Sequence, residues 1–425
     1  MSDATDGAGK GAAPGNTNRR RFLVGAAAVT AGAAGLSVLY DASAQPKGGP
    51  GVQAPGGKVG LFRTLGRTGL SISAVGVGAG GISDPGLLAR AVDKGINYVD
   101  TAICYGDSEE VIGRALAADK GLRKKLVIAT KWDSGAAMPK DRIVDSLDKS
   151  LKRLGVDFID VMQVHWLGGG HLKDDTGFNR LDNPELYAAM EAAKKAGKVR
   201  FFGATSHHDN RSKILQHAID KGVFDMILVK MNVLDFDKAD IPALLAKAKA
   251  KNVGVVAMKS QPEGGAIPPG FEKSKLDVYQ ANLRWCLSHD VASVVHSAIG
   301  TDAKMQDLAI GVAQEKVGGV DDAPHGGLLE RYAAALSPDY CRECAGGEGS
   351  CQAACPAGVA IDHVLHLRMY DRRLGWHDYA KRLYHELPEA SRWSEACTTC
   401  NACTDACSYG VDAAGRVRDA KRSLG

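Results

Sequence analysis

Short apolar runs rich in β-branched residues alternate with amphipathic stretches from residue 60 to about residue 315. Eight such runs occur, at 73–80, 96–102, 125–131, 158–166, 199–205, 226–232, 253–259 and 292–298. Continuous apolar strands are typical of a parallel sheet that is buried on both faces. Eight strand–helix units within about 255 residues are typical of an α/β fold of the (β/α)8 TIM-barrel type.

The segments between the runs contain helix and turn signals that agree with this fold. The stretches 141–155 and 183–197 have helical periodicity, and Asn183 is placed to cap the second helix before Pro184. Ahead of the first run, Gly66–Gly69 separate two strand-like pieces. We therefore predict that residues 61–315 form the barrel, with a small hairpin closing its bottom.

A glycine motif offers a competing interpretation of the first strand. Gly76 to Gly81 match G-x-G-x-x-G, and Asp100 follows about 20 residues later, as in a dinucleotide-binding fingerprint. That motif belongs to an open sheet of six strands, whereas the pattern here continues to eight. We therefore expect these glycines to serve close packing at the barrel mouth.

The N-terminal segment has the composition of an export signal. Arg19–Arg21 precede a mildly apolar run from Phe22 to Tyr40, and Ala42–Ala44 supply a small-residue cleavage pattern. The arginine pair followed by Phe-Leu resembles a twin-arginine signal. We predict a signal peptide at 1–44 and a flexible linker at 45–60, with an uncleaved membrane anchor as the alternative.

Polar side chains end three successive predicted strands, where a barrel of this type places its active site. Asp100 ends the second strand and Tyr105 lies in the loop after it, while Lys131 ends the third strand and His165 the fourth. Tyrosine has an ordinary pKa of about 10, which a nearby ammonium lowers. We expect Asp100 to hold Lys131, Tyr105 to deliver a proton, and His165 to orient a substrate carbonyl.

Three segments that contain these residues resemble the aldo-keto reductases: "DTAICYGDSEEVIGRAL", "ATKW" and "QVHW". The resemblance covers residues 61 to about 315. It implies a barrel that binds NADP(H) or NAD(H) in an extended form. It also implies that the four residues above are the family's catalytic tetrad, with Tyr105 as the general acid.

The resemblance further implies which residues contact the cofactor. These candidates are Thr205, Ser206, Lys230, Lys259, Gly300, Thr301 and Lys304. Asp302 stands near a position where the family often has a basic residue, and a carboxylate there repels a 2′-phosphate. Use of NADPH, of NADH or of no nicotinamide therefore stays open, and a helix cap is the other role for Asp302.

Eight of the ten cysteines fall in the last 85 residues. One group is Cys341-x2-Cys344-x6-Cys351-x3-Cys355, and the other is Cys397-x2-Cys400-x2-Cys403-x3-Cys407. The second group has the spacing of a bacterial two-cluster ferredoxin. After a linker and packing helix at 316–337, the tail at 338–425 thus resembles an α-helical ferredoxin-like module with two [4Fe–4S] clusters.

By analogy with such ferredoxins, each group lends its fourth cysteine to the other cluster. The resemblance implies one set of Cys341, Cys344, Cys351 and Cys407, and another of Cys397, Cys400, Cys403 and Cys355. Zinc sites and disulfides are the alternatives. We expect the two remaining cysteines, Cys104 and Cys286, to be buried inert thiols, although Cys104 adjoins Tyr105 and has a position from which it can face the pocket.

Charge and composition narrow the range of functions. The formal net charge is +4 and no basic face is interleaved with aromatic residues, so we predict no nucleic-acid partner. We predict a periplasmic or otherwise extracytoplasmic oxidoreductase, exported in folded form by the twin-arginine machinery. It would interconvert a small carbonyl and alcohol, and exchange electrons with a carrier or a membrane quinone system. The alternative is an electron-transfer or redox-sensing protein whose barrel binds a ligand or partner.

Overall fold

The structure is a computed structural model that describes residues 62–132, 134–168, 176–206, 208, 210–234, 236, 240–315, 327–337, 340–342 and 350–425. All of these residues belong to one compact unit, Ala42–Gly425. The predicted signal peptide and linker, the segment 316–326 and Cys344 lie outside the described residues.

The strands are β1 (Phe62–Thr64), β2 (Ser71–Ser73), β3 (Val75–Gly78), β4 (Tyr98–Asp100), β5 (Val127–Trp132), β6 (Ile159–Val164), β7 (Val199–Ser206), β8 (Met226–Lys230), β9 (Gly254–Met258) and β10 (Ser293–His296). The helices up to the end of the barrel are α1 (Pro85–Asp93), α2 (Ser108–Ala118), α3 (Leu122–Lys125), α4 (Lys140–Leu154), α5 (Phe178–Leu181), α6 (Pro184–Lys195), α7 (Arg211–Asp220), α8 (Ile241–Ala250), α9 (Lys275–Leu287), α10 (Ser297–Thr301) and α11 (Ala303–Gln314). The helices that follow are α12 (Leu328–Leu336), α13 (Ser350–Ala353), α14 (Ile361–Leu374), α15 (His377–Glu386), α16 (Glu389–Arg392), α17 (Ala402–Asp405) and α18 (Ala413–Leu424).

Strands β3 to β10 form a closed parallel barrel in chain order, with β10 paired to β3. Each of the eight apolar runs coincides with one of these strands to within one residue at its C-terminal end or encloses it, so the predicted (β/α)8 barrel is confirmed. The dinucleotide-binding alternative is wrong for this fold, because that motif requires an open sheet. Since all eight strands run parallel, their C-terminal ends meet at one mouth.

The lower part of the barrel is filled with apolar side chains. Tyr98, Val127 and Val161 project into this interior cluster from the strands, and Leu65 and Ile72 close it from below. The predicted hairpin is confirmed: β1 pairs antiparallel with β2. Because side chains fill the bottom of the barrel, we expect a ligand to bind at the mouth.

Two helix caps that the sequence indicates are present. The Asn183 side chain accepts a hydrogen bond from the Glu185 N–H at 3.0 Å, at the start of α6. The Asp302 carboxylate accepts from the backbone N–H groups of Lys304 at 2.8 Å and Met305 at 3.1 Å, at the start of α11. The helix-cap role of Asp302 is therefore confirmed, as the physical preference for aspartate at this position predicts.

The C-terminal helices form a small module with a core of its own. Helix α14 packs against α15 and α18, and Val364, Tyr384 and Val417 are buried between them. Helix α12 packs on α9 of the barrel, where the buried Tyr332 hydroxyl donates to the Ala266 carbonyl at 3.0 Å. Within the described ranges, we find no helix that is both long and apolar enough to span a membrane.

Candidate functional site

A buried ion pair lies at the barrel mouth, formed by residues that the sequence predicts to be catalytic. Lys131 is 1% exposed and Asp100 4% exposed, and the Lys131 ammonium donates to the Asp100 carboxylate. The ammonium also donates to the Thr101 carbonyl at 2.6 Å, and Gln163 Nε2 donates to Asp100 Oδ2 at 2.7 Å. Buried charges are tolerated when they are paired and hydrogen-bonded in this way. The parallel register of β4, β5 and β6 brings these side chains together.

Tyr105 and His165 stand next to this pair. Lys131 Nζ lies 4.9 Å from the centre of the Tyr105 ring, and the Tyr105 and His165 rings lie edge to face with centroids 5.8 Å apart. Cys104 Sγ lies 3.5 Å from His165 Nδ1, so this thiol is part of the same cluster. The structure thus brings the four predicted catalytic residues together.

The pKa of Tyr105 lies well above its ordinary value, which differs from the expectation. Burial raises it most, and the neighbouring Asp100 carboxylate raises it further. The Lys131 ammonium does not overcome these effects because its charge is already balanced by Asp100. The Tyr105 phenol is therefore protonated at neutral pH and holds a proton that it can donate.

A partly open cavity of about 160 Å³ lies beside Tyr105. From the barrel its lining includes Asp100, Tyr105, Lys230, Lys259 and His296. From the C-terminal module its lining includes Tyr340, Cys341, His366, Tyr370, Trp376 and Tyr379. The two parts of the chain therefore share one cavity, whereas Lys131 and His165 support Tyr105 from outside its lining.

His296 is a cavity residue that the sequence interpretation did not select. It ends β10, and its Nδ1 accepts a hydrogen bond from the Ala298 N–H at 3.2 Å. Burial lowers the pKa of His296 to about 4, so the ring is neutral at pH 7 and carries its proton on Nε2. The same rule that selected Asp100, a polar residue at the end of a barrel strand, points to His296.

The seven cofactor candidates do not meet at one place. Lys230 and Lys259 line the cavity. Thr205 and Ser206 are buried in β7, and the Ser206 hydroxyl donates to the Leu167 carbonyl at 2.8 Å. The remaining candidates, Gly300, Thr301 and Lys304, lie on α10 and α11 outside the cavity lining.

A second cavity lies inside the C-terminal module and is lined by cysteines. Cys355, Cys397, Cys400 and Cys403 all face it. The rest of its lining is small or apolar: Pro356, Ala357, Val359, Ile361, Ala396, Ala402, Ala414 and Val417. These four cysteines are the set that the resemblance to two-cluster ferredoxins implies.

The donor set of this cavity fits a [4Fe–4S] cluster, which takes four thiolates. Burial raises the pKa of the Cys403 thiol, and the neighbouring Cys355 raises it further. Positively charged iron at this place would favour the thiolate form. Cys355, Cys397, Cys400, Cys403 and Cys407 form no disulfide with one another. In the part of the chain that the structure describes, no three histidine, cysteine or acidic residues are arranged to hold a single metal ion.

The other cysteines of the module lie around the same core. Cys341, Cys351 and Cys407 are partly buried against it. Helix α13, which contains Cys351, packs on α17, which contains Cys403. The fourth predicted ligand of this set, Cys344, lies outside the described residues.

Cys355→Ser is expected to remove one cluster and leave the other. The serine hydroxyl is a poor ligand for iron, so the cluster in the cysteine-lined cavity is lost while the Cys341 set keeps its thiolates. Iron and sulfide analysis of anaerobically purified protein should show a loss of about half of each. Cys104→Ser is the matched control and should retain the full content. Full retention in Cys355→Ser would exclude Cys355 as a ligand.

Together, these features define a (β/α)8 barrel with an Asp–Tyr–Lys–His cluster at its mouth, joined to a helical module with a cysteine-lined cluster site. Comparison with known protein families identifies two domains in the chain. An aldo/keto reductase domain is found at residues 85–268, where the chain matches the aldo/keto reductase family. A 4Fe-4S dicluster domain is found at residues 340–411.

Curated relatives match the barrel part of the chain. L-galactose dehydrogenase of Arabidopsis thaliana is 31% identical over 213 residues, which is 46% of this chain and 64% of the relative. 6-Dehydroglucose reductase of Novosphingobium aromaticivorans is 32% identical over 177 residues, 37% of this chain and 55% of the relative. The chain therefore spans less than two thirds of the length of either protein.

The solved structures that resemble the chain include an aldo-keto reductase from Bacillus halodurans in its holo form. It is 22% identical to this chain and has a TM-score of 0.49. The match covers 64% of this chain and 96% of that one.

Proposed function

We propose that this protein is an iron–sulfur oxidoreductase of the aldo-keto reductase type that interconverts a small carbonyl compound and its alcohol. The observation that carries the proposal is the shared cavity, which Tyr105 of the barrel and Cys341 of the module both line. A reaction at Tyr105 therefore takes place beside a predicted cluster ligand. Reduction adds two electrons and two protons to the carbonyl, and oxidation removes them.

The barrel residues would bind the carbonyl and supply a proton to its oxygen. Tyr105 is protonated at neutral pH, and the neutral His296 ring lines the same cavity. The Lys131–Asp100 pair holds a fixed positive end toward the Tyr105 ring. Clusters held by the module's cysteines would supply one-electron transfer.

The cavity size restricts the substrate to small molecules. At about 160 Å³ it is smaller than the 300–1,000 Å³ that is typical of pockets for drug-sized ligands. The names of the two relatives refer to the sugars galactose and glucose. We therefore include sugars of this size, with a carbonyl or an oxidisable hydroxyl, among the first candidates.

Export by the twin-arginine route is the second part of the proposal. It is supported by the arginine pair at 19–20, the apolar run after it and the Ala42–Ala44 pattern. A cluster assembled in the cytoplasm is a reason to cross the membrane in folded form. Replacing both arginines with lysine should keep the protein in the cytoplasmic fraction. Unchanged recovery outside the cytoplasm would contradict this part.

The enzymatic part is tested with anaerobically purified, cluster-loaded protein. A reduced viologen dye serves as the one-electron donor, and small aldehydes, ketones and sugars are added one at a time. We expect dye oxidation that depends on the carbonyl and yields the corresponding alcohol. The reverse assay uses the alcohol and an oxidised dye. If every carbonyl and alcohol of the panel is inert in both directions, the oxidoreductase proposal fails and the ligand-binding or redox-sensing alternative gains support.

The pH profile of the reductive reaction is expected to be flat between pH 6 and 9. Tyr105 acts in its protonated form, and its raised pKa keeps that form fully populated through this range. His296 is neutral throughout because its pKa is about 4. Initial rates at saturating donor would measure this. A decline of the rate centred near pH 7 would show that another group is the acid.

A further inference from the structure

The C-terminal module forms one wall of the barrel cavity, on the side of β8 and β9. Tyr340, His366, Tyr370 and Leu374 lie there, and Trp376, whose ring centroid is 5.4 Å from that of Tyr370, contacts the loop after β3. All five belong to the tail rather than to the barrel. The resemblance to aldo-keto reductases implies that a nicotinamide cofactor lies at this mouth. The side chains that form the wall therefore affect whether the cofactor can bind there.

The two cofactor candidates that face the cavity already contact the module. Lys230 Nζ lies 5.2 Å from the centre of the Tyr340 ring, and the Tyr340 hydroxyl accepts a hydrogen bond from Asn232 Nδ2 at 3.0 Å. Lys259 Nζ lies 3.0 Å from His366 Nε2. Lys259 also has a φ of 53°, a left-handed backbone conformation that surrounding structure must stabilise. The module thus occupies the space in front of both lysines.

Two glycines of the barrel are fitted to side chains of the module. Gly81 has a φ of +82°, and a Cβ added there would lie 2.8 Å from Trp376 Nε1. Gly264 has a φ of +64°, and a Cβ there would lie 2.9 Å from a methyl group of Leu374. Such close approaches show that the module is seated directly on these two barrel loops.

The barrel and module therefore do not fit a bound nicotinamide dinucleotide. In the cavity, Tyr340 and His366 of the module lie directly against Lys230 and Lys259, where the resemblance implies that the nicotinamide end lies. The candidates Thr205 and Ser206 are buried in β7 away from the cavity lining.

We infer that the C-terminal module of this protein occupies the nicotinamide position of the barrel and excludes NADPH and NADH from it. The inference rests on the proposed function in one respect only. If carbonyl chemistry takes place at Tyr105 without a bound nicotinamide, its electrons must be exchanged through the module. The exclusion itself is a statement about nucleotide binding. Binding of a nucleotide would contradict it even if dye-driven turnover of a carbonyl is observed.

Nucleotide binding to the full, cluster-loaded chain tests the inference. Isothermal titration with NADPH and with NADH should detect no binding to the wild-type chain. The opening variant Leu374→Ala/Trp376→Ala removes the side chains that face Gly264 and Gly81, and it should bind at least one nucleotide with an affinity about tenfold or more above the detection limit of the titration. Trp393→Ala, which alters the module core without touching the cavity, is the matched control and should behave as wild type.

Two results of these titrations would overturn the inference. Stoichiometric binding of either nucleotide to the wild-type chain would overturn the exclusion. If wild type and the opening variant are both unable to bind, the module is not the cause and the inference is also overturned. A second opening variant, His366→Ala, covers the case in which the double variant loses its iron and does not fold. Iron content and visible absorbance are measured on every sample.

Discussion

Tyr105→Phe is expected to lower carbonyl-dependent turnover by about 10²- to 10⁴-fold, the usual contribution of a positioned general acid. The substitution removes the phenolic proton and leaves the ring in place beside Lys131 and His165. Turnover would be measured with the reduced dye and the best carbonyl of the panel. Iron and sulfide contents should be unchanged, because Tyr105 is part of the barrel mouth and not of the cysteine-lined cavity.

The matched control for this prediction is Tyr187→Phe. The Tyr187 hydroxyl donates to the Leu181 carbonyl, and Tyr187 is not part of the cavity lining. Its loss removes a tyrosine hydroxyl of the barrel without touching the site. Equal turnover in wild type and Tyr105→Phe would show that Tyr105 is not the acid, whatever the identity of the electron donor.

Asp100→Asn is expected to have the largest effect on stability. It removes the carboxylate that accepts from the Lys131 ammonium, in a position where both groups are nearly inaccessible to water. Breaking a buried pair on one side leaves an uncompensated charge, which costs about 3–5 kcal/mol. Urea unfolding of the cluster-loaded protein under anaerobic conditions would measure the loss in the free energy of unfolding.

Asp145→Asn is the control for this second prediction. Asp145 pairs with Lys149 on the surface of α4, where both side chains are more than half exposed. Surface pairs of this kind contribute little to stability, so no measurable change is expected. If Asp100→Asn is as stable as the control, then the buried pair does not carry the stability assigned to it.

The barrel could be predicted from the sequence because its signal is local. Each parallel strand is a largely apolar stretch of three to eight residues, and the alternation of strand and helix continues along the chain. The strand-end rule then selected Asp100, Lys131 and His165 without knowledge of their contacts. The structure brings these residues together because neighbouring parallel strands keep the same register.

The cavity could not be predicted in the same way because it depends on contacts between distant segments. Cys341 and Trp376 belong to a tail whose spacing predicts cluster ligands and helices, and spacing does not show where that tail packs. The pKa of Tyr105 was expected to fall beside an ammonium. It rises because burial outweighs an ammonium that is already neutralised by Asp100.

The central claim is that electrons reach the barrel cavity through the iron–sulfur module and are used with a proton from Tyr105. The most direct test is a single-turnover experiment on the protein's own clusters. They are reduced anaerobically, the excess reductant is removed, and recovery of their visible absorbance is followed after a small carbonyl is added. We expect the carbonyl to speed this recovery in the wild-type chain and in Tyr187→Phe, but not in Tyr105→Phe. Recovery at the same rate in all three proteins, or with and without the carbonyl, would contradict it.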